Sequence, residues 1–223
     1  MFNNSKRKNE RLHSGLTDTM SVRSYNLSLG LLIFYGFLVN VIMVQTMSEF
    51  FMNMHWSVLV VGYFVSCFIG IVMSAASKNA FISFIGYNLV VVPIGAVLSI
   101  CLQSYSGIDI LTAMGATGVV TFIMLILSTI NPNFFAGLGR TLFFSLLAGL
   151  IVEIVLMFMG ISTPILNWFF VVIFSLYIGY DWYKAQQYPK TMDNAVDSAL
   201  DIYLDIINLF LRILEIIIGK SDD

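Results

Sequence analysis

The chain has 223 residues, of which 58% are hydrophobic and 11% charged, whereas an ordinary soluble domain has roughly 25% charged residues. This composition excludes a water-soluble enzyme and indicates a protein buried in lipid. The net charge of -2 also excludes a nucleic-acid-binding surface, because Lys and Arg form no basic stripe beyond the N-terminal segment.

Charged residues crowd the N-terminal segment, where Lys6, Arg7, Lys8 and Arg11 make it basic. The segment lacks the short apolar region and small-residue cleavage site of a secretory signal. We therefore predict a cytoplasmic tail over residues 1–26, followed by a first span that stays attached as a signal anchor.

Seven apolar runs follow the tail, each near the roughly 20 residues that a helix needs to cross a bilayer core. Short linkers with helix breakers, such as Asn131-Pro132-Asn133, separate them. The sequence thus predicts an all-α polytopic membrane protein, with a transmembrane domain over residues 27–218 and a polar tail over 219–223. The predicted spans are Leu27–Thr46, Ser57–Ala76, Phe81–Leu102, Ile108–Ile130, Thr141–Met159, Ile165–Tyr183 and Ala199–Ile218.

Basic residues segregate to one side of these spans. With the N-terminus inside, Lys78, Arg140, Lys184 and Lys190 all fall on cytoplasmic segments, where Lys and Arg collect. On the far side, only Lys220 follows the last span, and the loops there contain no Lys or Arg. The bias predicts seven spans with a cytoplasmic N-terminus, and we expect the host to be a bacterial cell membrane, with the lipid bilayer as the surrounding partner.

A proline and several small residues also predict features of helix packing. Pro93 is expected to kink the third span. Small residues that suit close helix approach in lipid lie in the fourth span and just ahead of the fifth. They are Gly115, Ala116, Gly118, Gly137 and Gly139.

Ionisable residues within the spans are the informative ones, because each costs several kcal/mol at membrane depth unless it faces protein or water. Glu153 lies in the middle of the fifth span and Asp181 near the cytoplasmic end of the sixth. On the seventh, the polar residues form a stripe roughly 80° wide on an otherwise apolar helix. The stripe consists of Asp201, Asp205, Asn208, Arg212 and Glu215.

A narrow, acidic stripe favours a spanning helix with one face on protein or water. The alternative is a helix lying flat on the membrane, but such helices have a broad polar face rich in Lys and Arg. For Asp201 and Arg212, structural ion pairing near the helix ends is as good an interpretation as a functional role.

Asp181 and Asp205 are expected to meet, because the sixth span ends and the seventh begins on the same side. Two carboxylates in a low-dielectric site cannot both ionise cheaply, so the pair can share a proton. This arrangement suits a pH sensor. Its oxygen atoms can also hold a hard cation such as Ca²⁺ transiently, so both residues are candidate metal ligands, and no resident cofactor is predicted.

The residues around this pair resemble a family signature. Tyr180-Asp181 and the segment ALDIYLDIINLFL, residues 199–211, resemble the signature of the transmembrane Bax inhibitor motif family of prokaryotic type. The seven spans, the basic tail and the chain length extend the resemblance over most of the chain. It implies a bundle with the seventh helix at its centre and a pH-sensitive calcium leak channel. Ca²⁺ is then the transported ion, and Asp181 and Asp205 are the proton-sensing pair.

The chain departs from the family pattern at the end of the second span. Prokaryotic members carry there a basic residue that latches onto the first aspartate, whereas this sequence has Ser74, Ala75 and Ala76. Lys78 is the nearest basic residue and the candidate replacement latch. The departure leaves the direction of pH gating open.

Two other functions fit an acidic pair in the membrane. One is a stress regulator that binds a partner such as a membrane protease, with the pair purely structural. The other is an intramembrane aspartyl protease, which uses one aspartate as acid and one as base. Against the protease, Ile202, Tyr203 and Leu204 precede Asp205 in place of the G-x-G-D glycines, and no Pro-Ala-Leu follows. A non-enzymatic channel is the favoured interpretation.

Overall fold

The computed structural model describes residues 19–161 and 164–219, and within these ranges it is almost entirely helical with no strand. The all-α prediction is confirmed. The basic residues at positions 6–11, residues 162 and 163, and the polar residues 220–223 lie outside the described residues. The helices are α1 (Val22–Thr46), α2 (Ser48–Met52), α3 (Trp56–Ala76), α4 (Ala80–Cys101), α5 (Gly107–Ile130), α6 (Pro132–Ala136), α7 (Gly139–Phe158), α8 (Pro164–Gln187) and α9 (Met192–Gly219).

Six helices are long and apolar enough to cross a membrane, namely α1, α3, α4, α5, α7 and α8. They correspond to the first six predicted spans, so the chain is a polytopic membrane protein. The last helix, α9, has 28 residues, which gives it a length of about 42 Å. It can span by length, but the charged residues on its stripe set it apart from the other six. The seventh span stays a prediction.

Two helices begin earlier in the chain than the predicted spans, because polar residues form their first turns. α1 begins at Val22, ahead of the predicted Leu27, because the Ser21 side chain caps it by accepting from Ser24 N at 3.1 Å. α9 begins at Met192 rather than Ala199. Hydropathy cannot detect these turns, since their polar residues are satisfied by contacts that the sequence does not display. The last residues of the predicted cytoplasmic tail, from Val22 onward, therefore belong to α1.

The described residues form two compact units. The first comprises residues 19–105 and 187–200, and the second comprises residues 106–161, 164–186 and 201–219. α9 is one continuous helix that contributes its first turns to the first unit and its remainder to the second. Its apolar side chains are buried in both parts, for example Ala199, Tyr203 and Leu209.

α4 forms the interior of the first unit. Tyr87, Val90 and Val91 on this helix are buried, and the Tyr87 hydroxyl donates to Leu32 O on α1 at 2.8 Å. α3 approaches α4 at Gly70 and Gly86. A Cβ on Gly86 would lie 2.6 Å from Gly70 O, so this backbone contact exists only because both residues lack a side chain.

The predicted role of small residues is correct at Gly139 and wrong at Gly115 and Gly118. A Cβ on Gly139 would overlap the Tyr180 ring, whereas no atom lies within 4 Å of a Cβ on Gly115 or Gly118. The buried residues of α5 include Ala113 but neither Gly115 nor Gly118. Composition alone does not reveal which face of a lipid-embedded helix meets protein.

We expect Gly86→Ala to destabilise the protein, because overpacking a tight contact costs about 1–3 kcal/mol. The thermal unfolding midpoint of purified protein in detergent measures the effect. Gly62→Ala on α3 is the matched control, since a Cβ at Gly62 meets no atom within 4 Å and the gain in helix propensity is the same. Equal midpoints for the two variants would contradict the close contact of α3 and α4.

Candidate functional site

A pair of buried carboxyl groups lies in the second unit. Asp181 on α8 is 7% exposed, Asp205 on α9 is 8% exposed, and the two groups are within hydrogen-bonding reach of each other. The Oδ2 atom of Asp205 receives no hydrogen bond from an N–H or hydroxyl donor in the described part of the chain. Two carboxyl groups this close in a low-dielectric site cannot both ionise cheaply, so the pair can share a proton.

Lys184 is the cation at this pair. Its Nζ lies 2.6 Å from Asp181 Oδ1 and 3.5 Å from Asp201 Oδ2. One ammonium group therefore offsets the charge of Asp181 on its own helix and of Asp201 on α9. Sequence analysis used Lys184 only as a marker of the cytoplasmic side. The signal for its contact with Asp181 is the spacing of three residues, which places both on one helix face.

Contacts of α8 with α5 and α6 fix the turn that carries Asp181. Ser128 on α5 donates to Gly179 O at 2.6 Å, and the Trp182 indole donates to Thr129 Oγ1 at 3.0 Å. Gly179 admits the Phe135 ring of α6 so closely that a Cβ would overlap it. The residues before and after Asp181 are thus both held, which sets the direction of its side chain.

Lys78, the predicted latch, lies exposed in the linker after α3. Asp181 forms an ion pair with Lys184, one turn away on the same helix. The latch at Lys78 stays a prediction. Ser74, in the segment 74–76 where the family pattern has a basic residue, is buried and donates to Asp197 Oδ1.

The acidic stripe of α9 begins earlier than predicted. Asp193 and Asp197 are buried in the first unit, and Ser83 donates to Asp193 Oδ1 at 2.6 Å. Asp193, Asp197, Asp201 and Asp205 follow one another at four-residue intervals, so they line one side of the helix. Sequence analysis missed the first two because the predicted span began at Ala199. Their spacing was the signal that could have found them.

Tyr25 secures the start of α9 within the first unit. Its hydroxyl donates to Asn194 O at 3.3 Å and lies 3.2 Å from Ser198 Oγ. The Lys190 Nζ is 4.6 Å from the centre of the Tyr25 ring, and burial lowers the pKa of Lys190. These contacts join α1 to the segment that precedes and begins α9.

A second ionic cluster surrounds Arg212 in the second unit. Its guanidinium binds Glu153 on α7 through two hydrogen bonds, of 2.5 and 2.8 Å, and donates to Asn167 on α8 at 3.0 Å. Glu215, one turn further along α9, lies 3.4 Å away. Glu153 therefore has the polar partner that a carboxylate at membrane depth requires. Asn208 bonds locally instead, donating to Leu204 O at 2.8 Å.

Comparison with known proteins decides the family. A family model described as "Inhibitor of apoptosis-promoting Bax1" matches residues 18–223. The chain belongs to this Bax inhibitor family. It is also 29% identical over 163 residues to an uncharacterized protein of Helicobacter pylori strain 26695, covering 71% of this chain and 70% of that protein. It is 33% identical over 113 residues to an uncharacterized protein of strain J99, covering 49% of this chain and 48% of that protein.

The Asp181–Asp205 pair of this Bax inhibitor family protein supplies few oxygen ligands for a metal ion. In the described ranges, no group of three or more His, Cys, Asp or Glu residues is arranged to hold a metal ion. Ca²⁺ takes six to eight oxygen ligands, and the Asp181–Asp205 pair offers four carboxyl oxygens beside an ammonium group. The pair is better suited to binding protons.

Proposed function

We propose that this Bax inhibitor family protein is a pH-sensitive Ca²⁺ leak channel of a bacterial cell membrane, with its N-terminus in the cytoplasm. The observation that carries the proposal is the buried Asp181–Asp205 pair with Lys184 bound to Asp181. A carboxyl pair that gains or loses its shared proton changes its charge with apparent pKa values that belong to the pair, which is the property of a sensor.

Proton uptake by the pair acts on Lys184. When Asp181 is ionised, Lys184 is held between Asp181 on α8 and Asp201 on α9. A proton on Asp181 removes one of the two anions that hold the ammonium, so the connection between α8 and α9 weakens. Acid therefore favours the leak.

The stripe on α9 offers a route for a hard cation. Carboxylates four residues apart on a helix are separated by about 6 Å along its axis, and each supplies oxygen ligands of the kind that Ca²⁺ prefers. A cation can thus exchange one set of oxygen ligands for the next. The serine hydroxyls at Asp193 and Asp197 add further oxygens in the first unit.

Purified protein in liposomes tests the proposal. We expect Ca²⁺ entry, measured with an enclosed Ca²⁺-sensitive dye, to exceed entry into protein-free liposomes. It should also rise as the pH falls from about 8 to 6, a range in which buried carboxyl groups of proteins can titrate. Entry no faster than into protein-free liposomes at every pH would contradict the channel. That result would favour the regulator that acts through a membrane protein partner.

A further inference from the structure

The Arg212 cluster lies on the same helix as the acidic stripe, on the far side of Asp205 from Lys184. Arg212 follows Asp205 by seven residues, which is about 10 Å along α9. We propose that Arg212 sets the charge selectivity of the cation path and that Glu153 positions and neutralises it. This inference rests on the proposed leak and adds to it a second charged element, separate from the Asp181–Asp205 pair.

The guanidinium of Arg212 is held by residues of two other helices. Glu153 on α7 binds both of its terminal nitrogens, Asn167 on α8 accepts a further hydrogen bond, and the Phe170 ring on α8 lies 4.3 Å from the guanidinium carbon. A two-pronged carboxylate contact fixes a guanidinium in direction as well as in distance. The positive charge therefore has a defined place beside the stripe.

The charges of the cluster do not cancel. Two carboxylates, Glu153 and Glu215, accompany one guanidinium, and a guanidinium keeps its charge throughout the physiological pH range. The Arg212 side chain is 18% exposed, whereas the side chains of Glu153 and Glu215 are 33% and 47% exposed. Loss of Glu153 leaves the less exposed positive charge poorly balanced, and loss of Arg212 leaves two acidic groups without their cation.

The two losses should therefore change Ca²⁺ flux in opposite directions. We expect Arg212→Gln to raise Ca²⁺ entry and Glu153→Gln to lower it, each by about tenfold, because a single charge acts strongly on a divalent ion at close range. The double variant should return towards the parent. The pH at half-maximal flux should stay that of the parent in all three, since the Asp181–Asp205 pair is unchanged.

The experiment measures Ca²⁺ entry into liposomes for the parent, the three variants and two controls. Asn167→Ala removes a neutral partner of Arg212, and Arg212→Lys keeps a positive charge, so the net charge of the cluster is unchanged in both and neither should show a tenfold change in flux. Monodispersity and the thermal unfolding midpoint in detergent establish that each variant folds. If Arg212→Gln does not fold, the inference is tested by comparing the Ca²⁺ flux of Glu153→Gln with that of Asn167→Ala.

Changes of the same direction in Arg212→Gln and Glu153→Gln would show a structural ion pair and overturn this inference while leaving the leak intact. With Arg212→Gln unfolded, a flux in Glu153→Gln equal to that in Asn167→Ala would overturn it as well. Absence of flux in the parent would overturn the channel itself and this inference with it. Opposite changes with an unaltered pH profile would support it.

Discussion

Replacing either aspartate of the pair by asparagine is expected to remove most of the pH dependence of Ca²⁺ flux between about pH 6 and 8. Asp181 and Asp205 are within hydrogen-bonding reach, so they titrate as a unit, and loss of one titratable group abolishes the shared proton. Asparagine keeps the shape of aspartate and cannot ionise. The measurement is Ca²⁺ entry into liposomes across a pH series for Asp181→Asn and Asp205→Asn.

Asp109→Asn is the matched control for this experiment. Asp109 is a half-buried residue in the first turn of α5, where its carboxylate accepts from Ser106 Oγ at 2.6 Å. We expect this variant to keep the parent's pH profile, because its carboxylate lies outside the pair. A parent-like profile in Asp181→Asn and Asp205→Asn would show that the pair is not the sensor, even if the protein still leaked.

Removing the charge of Lys184 is expected to move the pH profile of the flux towards alkaline values by about one unit. The ammonium lies 2.6 Å from Asp181 Oδ1 and favours the ionised pair. Without it, the pair takes up its proton at a higher pH, and the tie between α8 and α9 is lost as well. Lys184→Gln should therefore leak more than the parent at pH 8. Ca²⁺ entry into liposomes across the same pH series measures both effects.

Two lysine variants serve as controls for this shift. Lys184→Arg keeps the positive charge and should keep the parent's profile. Lys78→Gln tests the latch suggested by the family pattern, and because Lys78 is exposed in its linker, we expect no shift. An alkaline shift in Lys78→Gln with none in Lys184→Gln would show that Lys78 is the functional latch after all.

Hydropathy was sufficient for the first six spans, because a helix in lipid must be apolar over nearly its whole length. The same rule failed at the start of α9, where Asp193 and Asp197 are helical and buried. Their partners, Ser83 and Ser74, come from distant segments and compensate the burial of each carboxylate. A window of local sequence cannot contain that compensation.

The functional residues also divide into features that the local sequence predicts and features that depend on distant partners. The position of Asp181 and Asp205 near the ends of adjacent spans was enough to suggest that they meet. Which cation binds Asp181 could not be predicted, because Lys78 and Lys184 both lie on the predicted cytoplasmic side. The structure shows that one helical turn brings Lys184 Nζ to Asp181. Similarly, Glu153 and Arg212 were each recognised as costly charges, but their pairing could not be predicted.

By itself, the sequence determined the membrane class, the first six spans, the family and the acidic stripe of α9, because each depends on a local pattern of apolar and polar residues. Tertiary structure decided which groups neutralise one another and where helices touch. Lys184 binds Asp181, and Gly70 and Gly86 rather than Gly115 and Gly118 admit a close contact. Charge pairing and glycine contacts depend on distances between segments far apart in the chain, and those distances are set only when the helices pack.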